Sequence, residues 1–340
     1  MPEIRIRRLD PADDADMDAF QAVYVAAELA EDPDAALYSR EDGIAILTST
    51  HGGSHTVAFG AYDAGRMVGE LMVGLPQLDN LDSAHVWLWV DPTHQRQGIG
   101  TRLAAHADAL VRDSGRRLCH AQGRIGARRD NKNLRFARSA GYALANTEIE
   151  RRLTLPADAT LLDRLAAEAE PHYRAYVVRA VVGPVPADLA SSYNDLRNVL
   201  GIEAPAGELE IEVHRNTTAE LRVQDDELVA AGRLRVAAYA LDSSGTVVAY
   251  SVCVTSRDGF DHVDQWGTLV APAHRGHRLG TAVKCAMLAS LTEAAPGKRF
   301  IETTNAETNS HMVAINEALG FEVVEVYGAF QKRLGPGGPV

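Results

Sequence analysis

The segment Val90–Leu103 reads VDPTHQRQGIGTRL, and the segment Val270–Val283 reads VAPAHRGHRLGTAV. Valine, proline, histidine, glycine and threonine recur at matched positions, with Val90 and Val270 standing 180 positions apart. Self-similarity at a fixed distance is the sequence signature of a duplicated structural unit. The two segments therefore predict that one fold occurs twice in this chain.

The similarity extends to both sides of the two loops. The stretches GRMVGELMVGL and GTVVAYSVCVT, followed by AHVWLWV and DQWGTLV, are apolar and rich in β-branched residues, which is typical of buried strands. Each loop is followed by apolar residues at helical spacing, then by a strand, a second helix and a last strand. The order strand–strand–loop–helix–strand–helix–strand thus occurs twice, which predicts an α/β fold with a mixed sheet, duplicated in tandem.

Length and spacing suggest where the duplicated units divide. A chain of 340 residues is long enough for two hydrophobic cores. The boundary is predicted after Leu155, which gives domains of residues 1–155 and 156–340, with a linker helix near residues 158–170. The glycine- and proline-rich tail GPGGPV is predicted to be disordered.

Composition restricts the classes of function. The formal net charge of −12 argues against general binding of nucleic acid, which needs a basic surface. The sequence has no apolar run of about 20 residues and begins without a signal-peptide pattern, so we expect a cytoplasmic protein without membrane contact. Cys119, Cys253 and Cys285 are far apart in sequence, and neither a disulfide framework nor a metal site is expected.

The loop Gln95–Thr101 has the chemistry of an anion site. Glycine lets a ligand approach the backbone closely, and the start of a helix offers unpaired N–H groups and the positive end of its dipole. The loop lacks the Gly-Lys-Ser/Thr ending of a Walker motif and the third glycine of a dinucleotide fingerprint. A phosphate-bearing ligand of another kind is therefore indicated.

A strand ending in Val-x-Pro, followed by Gln/Arg-x-x-Gly-x-Gly/Ala and a helix, resembles the acyl-CoA pyrophosphate loop of the GNAT superfamily of N-acetyltransferases. Gln95, Gly98 and Gly100 match this pattern in the first copy. The second half adds NAETNSHMVAINEALGF (Asn305–Phe321), which is similar to the family's helix signature from asparagine to Gly-Phe. The resemblance covers nearly the whole chain as two GNAT domains. Tandem proteins of this size occur in actinobacterial pathways, among them mycothiol synthase and antibiotic-cluster enzymes of secondary metabolism.

The resemblance implies a site for acetyl-CoA or another acyl-CoA in each copy, without a metal. The pantetheine arm would pair with the end of the strand before the loop, and the loop amides would hold the pyrophosphate. The partner would be a small-molecule amine, and the protein a monomer or homodimer. The residues implied in coenzyme binding are Leu88, Trp89, Val90, Gln95, Arg96, Gln97, Gly98, Ile99, Gly100, Thr101, Leu269, Val270, Arg275, Gly276, His277, Arg278, Leu279, Gly280, Thr281, Asn305 and Asn309.

The two loops differ at one glycine. Arg278 stands where the first loop has Gly98, and its side chain can either crowd a phosphate or supply a positive charge to it. The sequence leaves open whether Arg275–Thr281 binds coenzyme or is only a turn retained from the duplication. The first loop is therefore expected to be the safer coenzyme site.

The copies also differ in the residues that the resemblance assigns to catalysis. The family's catalytic carboxylate, eleven residues before the Gln/Arg of the loop, corresponds to Asp264 in the second copy and to Ala84 in the first. A general base is worth about 10²- to 10⁴-fold in rate, and alanine cannot supply one. Asn316 stands where the family has the tyrosine that protonates the leaving thiolate. Tyr250, the counterpart of Glu70, is a candidate substitute.

The predicted function is therefore acyl-CoA-dependent N-acyl transfer to a small amine. Chemistry is expected in the C-terminal domain and firm binding of acetyl-CoA in the N-terminal domain. Two alternatives stay open: a non-catalytic acyl-CoA-binding module, and catalysis in the N-terminal domain by Glu70. Asp264 is also compatible with a solvated position at the start of a strand, and Asn305, Asn309 and Asn316 with helix caps or surface positions.

Overall fold

The computed structural model describes residues 4–49, 53–203, 206–212, 215–257 and 261–335, with the side chains of 201–203 left aside. The tail predicted to be disordered lies almost entirely outside these residues. Two compact units are present. The first contains Met1–Thr147, Ala206–Glu212 and Val326–Val340, and the second contains Glu148–Pro205 and Val213–Glu325.

The helices and strands of the described residues are named here in chain order. They are β1 (Arg5–Arg8), α1 (Asp14–Glu31), α2 (Arg40–Thr48), β2 (Ser54–Asp63), β3 (Arg66–Pro76), β4 (Ser83–Val90), α3 (Ile99–Asp113), β5 (Leu118–Arg124), α4 (Lys132–Ser139), β6 (Ala143–Thr154), α5 (Ala159–Ala169), β7 (Val177–Val182), α6 (Ala190–Glu203), α7 (Thr218–Ala230), β8 (Arg233–Leu241), β9 (Val247–Ser256), β10 (His262–Val270), α8 (Leu279–Ala294), β11 (Phe300–Ala306), α9 (Ser310–Ala318) and β12 (Glu322–Arg333).

The first unit is a mixed sheet with helices on both faces. Its strand order is β1-β2-β3-β4-β5-β12, and only the β4–β5 pair is parallel. Gly69 faces Ile99 and Leu103 of α3, so α3 covers this face. Successive strand residues point to opposite faces, so Glu70 points to the other one. There α1 and α2 pack on β2, β3 and β4.

The second unit repeats this arrangement with strand order β7-β8-β9-β10-β11-β6, in which only β10–β11 is parallel. The core on one face gathers α8 around Val283, Met287 and Leu288. The core on the other face gathers α6 and α7 around Tyr193 and Leu221. The segment predicted as a linker helix forms α5 and packs against α8 within this unit.

Each unit includes a strand from the opposite half of the chain. In the second unit, residues Glu148–Thr154 of β6 pair with β11. In the first unit, Tyr327–Arg333 of β12 pair with β5. The compact units therefore differ from the predicted division into 1–155 and 156–340, because a local sequence pattern reveals a strand but not the strand that it pairs with.

The segment Ala206–Glu212 also belongs to the first unit, although it follows α6 in sequence. The Glu208 N–H donates to the Ala145 carbonyl at 2.8 Å, and the Glu210 N–H donates to Gln331 Oε1 at 2.6 Å. The Glu212 N–H donates to Asn80 Oδ1 at 2.7 Å. These bonds attach the segment to the end of the sheet where β5 begins.

Candidate functional sites

Both sheets open into a gap beside the strand that precedes the glycine loop. In the first unit the β4–β5 ladder ends at His85 and His120, whereas β4 continues to Val90. In the second unit the β10–β11 ladder ends at Asp264 and Glu302, whereas β10 continues to Val270. The implied pantetheine-binding residues Leu88–Val90 and Leu269–Val270 lie beyond the last paired residues, where the strand edge can accept an extended ligand.

A β-bulge in β10 changes the predicted correspondence between the two copies. The register of β10 against β9 shifts between Gln265 and Gly267, so β10 carries one residue more than β4. Glu70 pairs with Trp89 and Tyr250 pairs with Leu269, and from these pairs the ladders place His85 opposite Gly74 and Asp264 opposite Val254. The counterpart of Asp264 is therefore His85. The assignment of Ala84 was wrong because counting back from the loop does not register the bulge.

The two glycine loops have the same backbone conformation with glycine and arginine exchanged. In the first loop Arg96 and Gly98 have φ values of +63° and +83°. In the second loop Gly276 and Arg278 occupy these positions with φ values of +84° and +54°. Each loop is also closed by the same contact, because Gln95 Nε2 and Arg275 Nε each donate at 3.3 Å to the last carbonyl of the preceding strand.

Arg278 does not disrupt the second loop. Its Nη1 donates to the carbonyl of Glu168 at 3.3 Å, at the end of α5. His277 Nδ1 lies 3.2 Å from the carbonyl of His172. The last turn of α5 and the segment that follows it therefore engage both side chains, and the loop backbone keeps the conformation seen in the first copy.

Helices α3 and α8 begin without a side-chain cap, unlike α1 and α5, which Asp13 and Asp158 cap. The first N–H groups of a helix have no partner inside the helix. No heavy atom lies within 4 Å of a Cβ built on Gly98 or Gly276, so the space beside the loops is open. Both loops therefore fit an anionic ligand such as the pyrophosphate of a coenzyme A thioester.

In the first unit, an acidic side chain from α1 spans the gap. Glu28 Oε1 accepts from Trp89 Nε1 of β4 at 2.8 Å, and its Oε2 lies 2.8 Å from Arg124 Nη1 at the end of β5. The edge of the Trp89 ring packs against Tyr24, with centroids 5.5 Å apart. Glu28 thus bridges β4 and β5 on the α1 side of the gap.

Glu70 lies beside this bridge on the same face of the sheet. It is fully buried, and neither carboxyl oxygen has a hydrogen-bond partner among the described residues. Burial, together with the nearby charge of Glu28, raises the pKa of Glu70 well above its ordinary value. In its protonated form the group is a hydrogen-bond donor and not a base.

The first unit also places two histidines at the closed end of the gap. The rings of His85 and His120 lie 5.6 Å apart, and His85 stacks on Trp87 at 5.8 Å. Burial lowers the pKa of both histidines, so both imidazoles are neutral at pH 7. The backbone of Glu210, from the inserted segment, lies next to His120.

In the second unit, Asp264 ends the paired part of β10 beside the gap. Its Oδ2 lies 3.5 Å from Arg233 Nη2, and its Oδ1 lies 3.9 Å from His262 Nε2. Burial lowers the pKa of His262 to about 4, so this ring carries no charge at neutral pH. Asp264 keeps 23% of its side-chain surface accessible, which leaves room for contact with a ligand.

Tyr250 points toward the bulge of β10. Its ring packs edge-on against Tyr193, with centroids 5.1 Å apart. Its hydroxyl lies 3.6 Å from a Cβ built on Gly267 and has no hydrogen-bond partner in the part of the chain that is described. Burial raises the pKa of Tyr250, so the hydroxyl stays protonated and available as a donor.

Asn316 lies in the interior instead of at the gap. Its side chain is completely buried. Its Oδ1 accepts from Lys284 Nζ at 2.6 Å, and its Nδ2 donates to Asn305 Oδ1 at 2.8 Å. Burial lowers the pKa of Lys284 to about 7. Because Asn316 is enclosed by these contacts, the structure gives it no access to a leaving thiolate. Asn309 caps α9, with its Oδ1 accepting from the Met312 N–H at 3.4 Å.

Sequence reasoning missed several residues of these sites. Glu28 and Arg124 approach the first gap from a helix and from a strand end that carry no motif. His85 was hidden by the bulge, and Lys284 lies in an apolar helix where a single lysine gives little signal. Asn131, the N-cap of α4, was detectable from the DNKN stretch before that helix.

The described residues contain no group of three or more His, Cys, Asp or Glu side chains placed to hold a metal ion. Their helices also include none with the length and apolar character to cross a membrane.

Comparison with known proteins identifies the fold. Residues 54–144 match the family model of the acetyltransferase (GNAT) domain. No curated protein matches the chain. A tandem GNAT protein from the clavulanic acid biosynthesis pathway, solved without acetyl-CoA, has 25% identity and a TM-score of 0.79, and the match covers 99% of this chain and 100% of that one. A GCN5-related N-acetyltransferase from Sphaerobacter thermophilus has 16% identity and a TM-score of 0.68, with coverage of 100% and 99%.

These matches confirm the predicted duplication and the predicted α/β fold with a mixed sheet. GNAT acetyltransferases use acetyl-CoA, and the loops and gaps described above fit that ligand. The matches support acyl-CoA-dependent N-acyltransferase activity for this architecture. The chain has the tandem GNAT fold, and its residues 54–144 carry the sequence signature of a GNAT acetyltransferase domain.

Proposed function

We propose that this protein transfers an acetyl or other acyl group from coenzyme A to a small amine, with the chemistry in the second unit and acetyl-CoA held in the first. The observation that carries the proposal is the position of Asp264, a partly accessible carboxylate at the last paired residue before the gap. The first unit has the neutral His85 at this position and the Glu28 bridge across its gap.

In the proposed reaction Asp264 takes a proton from the ammonium form of the acceptor, directly or through one water molecule. The amine nitrogen attacks the thioester carbonyl carbon, so a C–N bond forms and the C–S bond breaks. The attacking nitrogen loses its second proton as the departing sulfur takes one, so that free coenzyme A and a neutral amide are the products. A positioned base contributes about 10²- to 10⁴-fold to such a step.

Tyr250 is the proposed proton donor for the departing sulfur. Its hydroxyl is protonated, lacks a partner among the described residues and lies beside the bulge of β10. The counterpart in the first unit is Glu70, so both units place a protonated group at the same register position. Asn316 does not fit the role of proton donor, because its side chain is enclosed by Lys284 and Asn305.

The first unit is proposed to hold acetyl-CoA without turning it over. The Glu28 bridge closes the α1 side of the gap, where an amine would enter. The inserted segment lies next to His120 at the closed end. Glu70 in its protonated form cannot accept a proton from an amine. The alternative in which the first unit catalyses now depends on His85, which stands at the position of Asp264 and is neutral.

The setting is proposed from the comparisons. The likeness to a tandem GNAT protein of the clavulanic acid pathway supports a role in secondary metabolism with a small-molecule amine as acceptor. A monomer or homodimer in the cytoplasm, without nucleic acid or membrane as partner, remains our expectation from composition.

Native mass spectrometry of the purified protein tests the division of labour. We expect one tightly retained acetyl-CoA and a second, weaker site that exchanges with added acyl-CoAs. If the protein binds only one acyl-CoA at any added concentration, the second unit has no acyl donor. That result would contradict chemistry in the second unit. Retained coenzyme without turnover on a broad amine panel would favour the non-catalytic binding module.

Replacing Gly98 tests the assignment of the tight site to the first unit. Gly98→Val places a β-branched residue at φ +83°, which costs about 1–3 kcal/mol of backbone strain. We expect retention of acetyl-CoA in the native mass spectrum to fall at least about tenfold, since 1.4 kcal/mol corresponds to a factor of ten. Gly98→Asn, which tolerates the left-handed region, is the control and should retain the ligand. Loss of the tight ligand in Gly276→Val, at the left-handed position that corresponds to Arg96, would instead place the ligand in the second unit.

A further inference from the structure

Arg235 of β8 and Asp264 of β10 project from one face of the second sheet. Arg235 lies opposite Val254 of β9, and Val254 lies opposite Asp264. Residues directly opposite in a ladder share a face, and neighbouring strands are about 4.8 Å apart. The two backbones are therefore about 10 Å apart across two strand spacings. A small molecule with two functional groups can touch both side chains.

Two donors of Arg235 have no hydrogen-bond acceptor by geometry. Its side chain is 3% exposed, and its Nη2 lies 2.8 Å from Asp225 Oδ1 of α7. Within the described part of the chain, Nε and Nη1 have no hydrogen-bond partner, although Tyr239 lies close to the guanidinium. Buried guanidinium donors without an acceptor are costly. Nη1, on the side of the guanidinium opposite to the Nε–H, is thus available to an acceptor from a ligand.

Three tyrosines pack together near Arg235 on the same face of the sheet. Tyr193 of α6 packs edge-on against Tyr239 of β8 and Tyr250 of β9, with ring centroids 5.2 and 5.1 Å away. The hydroxyls of Tyr239 and Tyr250 are buried and lack hydrogen-bond partners among the residues that the structure describes. We call Tyr193, Arg235, Tyr239 and Tyr250 the arginine–tyrosine cluster. It presents hydrogen-bond donors below α6 and α7.

The cluster connects to the surface at the bulge of β10. The Trp266 ring lies 6.0 Å from the Arg235 guanidinium and is 48% exposed. Tyr250 faces the adjacent Gly267. The exposed Trp266 ring thus links the buried guanidinium of Arg235 to the surface beside the bulge of β10.

The charges of the cluster favour an anion. Asp225 is already neutralised by Arg235, and its Oδ2 also accepts from the Val185 N–H at 2.9 Å. Arg222 Nη1 lies 3.8 Å from the same carboxylate. Arg197 is close enough for its charge to oppose the rise that burial causes in the pKa of Tyr193 and Tyr250. Arg235 and Arg222 thus face the buried carboxylate of Asp225, and Arg197 adds positive charge near Tyr193 and Tyr250.

We propose that the acceptor is an amino acid or another amine that carries a carboxylate, and that Arg235 binds this carboxylate through Nη1. A hydrogen bond from a guanidinium N–H to a carboxylate is charge-assisted and stronger than one between neutral groups. The amine of the same molecule then lies toward Asp264. The direction of the amine rests on the proposed function, whereas binding of the carboxylate does not require turnover.

A binding measurement tests the proposal without turnover. The probes are 3-aminopropanoate and the common amino acids, each compared with the matching amine that lacks the carboxylate, such as propylamine, and 2-aminoethyl phosphate. The fluorescence of Trp266 reports binding, and Trp266→Phe identifies its contribution. We expect at least one carboxylate-bearing amine to bind about 10- to 100-fold more tightly than its partner without the carboxylate.

The variant Arg235→Met combined with Asp225→Asn removes the site without leaving a lone buried charge. It should abolish the preference for the carboxylate. Arg179→Met is the control, because Arg179 pairs with Asp188 at the surface, away from the cluster. Equal binding of both members of every pair, tighter binding of the phosphate, or a preference that survives in the double variant would overturn the proposal.

Turnover is measured separately as release of coenzyme A from acetyl-CoA. Turnover without any carboxylate preference would overturn the acceptor class and leave the proposed function standing. Selective binding of carboxylates without turnover would sustain the site and count against the proposed function.

Discussion

Replacing Asp264 with asparagine is expected to lower the acyl-transfer rate at neutral pH by about 10²- to 10⁴-fold, which is the contribution of a positioned general base. The substitution keeps the shape of the side chain and removes its ability to take a proton from the acceptor ammonium. Arg233 lies 3.5 Å from the carboxylate, so the variant also tests whether Asp264 serves only as the partner of that cation. Steady-state release of coenzyme A gives the rate, and native mass spectrometry shows whether both acyl-CoA sites remain.

His85→Ala is the matched control for Asp264→Asn, because the two residues hold the same register position in their units. It should leave the rate within about twofold of the original protein if chemistry resides in the second unit. A large loss in His85→Ala, with little change in Asp264→Asn, would move catalysis to the first unit. If both variants keep the rate of the original protein, neither side chain is the base.

Glu70→Gln is expected to remove a pH-dependent loss of stability. Burial and the charge of Glu28 raise the pKa of Glu70 well above 4.5 in the folded protein. Well below pH 4.5 the group is protonated in both the folded and the unfolded chain. As pH rises above this value the unfolded chain releases the proton before the folded chain does. The free energy of unfolding then falls with rising pH, by at most about 1.4 kcal/mol per pH unit, until the folded chain also releases the proton.

Urea unfolding at several pH values measures this effect. The stability of Glu70→Gln relative to the original protein should increase steadily from pH 5 to pH 7. Glu41→Gln makes the same chemical replacement at an exposed position on α2 and should show no such trend. A difference between the original protein and Glu70→Gln that does not vary with pH would show that Glu70 ionises in the folded state.

The sequence was sufficient to predict the two copies, because a duplication is visible in local patterns. Alternating apolar residues in β3 and β9 and the periodic apolar residues of α3 and α8 are visible without the fold. The pairing of β6 with β11 and of β12 with β5 was not predictable from them. A strand's side-chain pattern shows which face is buried, but its partner is decided by contacts across hundreds of residues.

Candidate site residues are predictable where a motif marks them and not where three-dimensional proximity brings them together. The loop and its spacing indicate Gln95–Thr101 and Asp264 as candidates. Glu28 and Arg235 carry no such signal, since each reaches its candidate site by packing against a distant strand or helix. In the sequence, Arg278 in place of Gly98 suggested that the second loop had lost its function. In the structure, each loop has two left-handed positions, one occupied by glycine and the other by arginine, in opposite order.

The origin of the last strand in each unit has a consequence for synthesis of the chain on the ribosome. The first unit contains β12, so its sheet can be completed only after residue Arg333 has left the exit tunnel. The second unit contains most of β6, which is made before the rest of that unit and can pair with β11 as soon as β11 emerges. The half that is translated first is thus the half that finishes folding last, and until then the edge of β5 is open to pairing with other nascent chains.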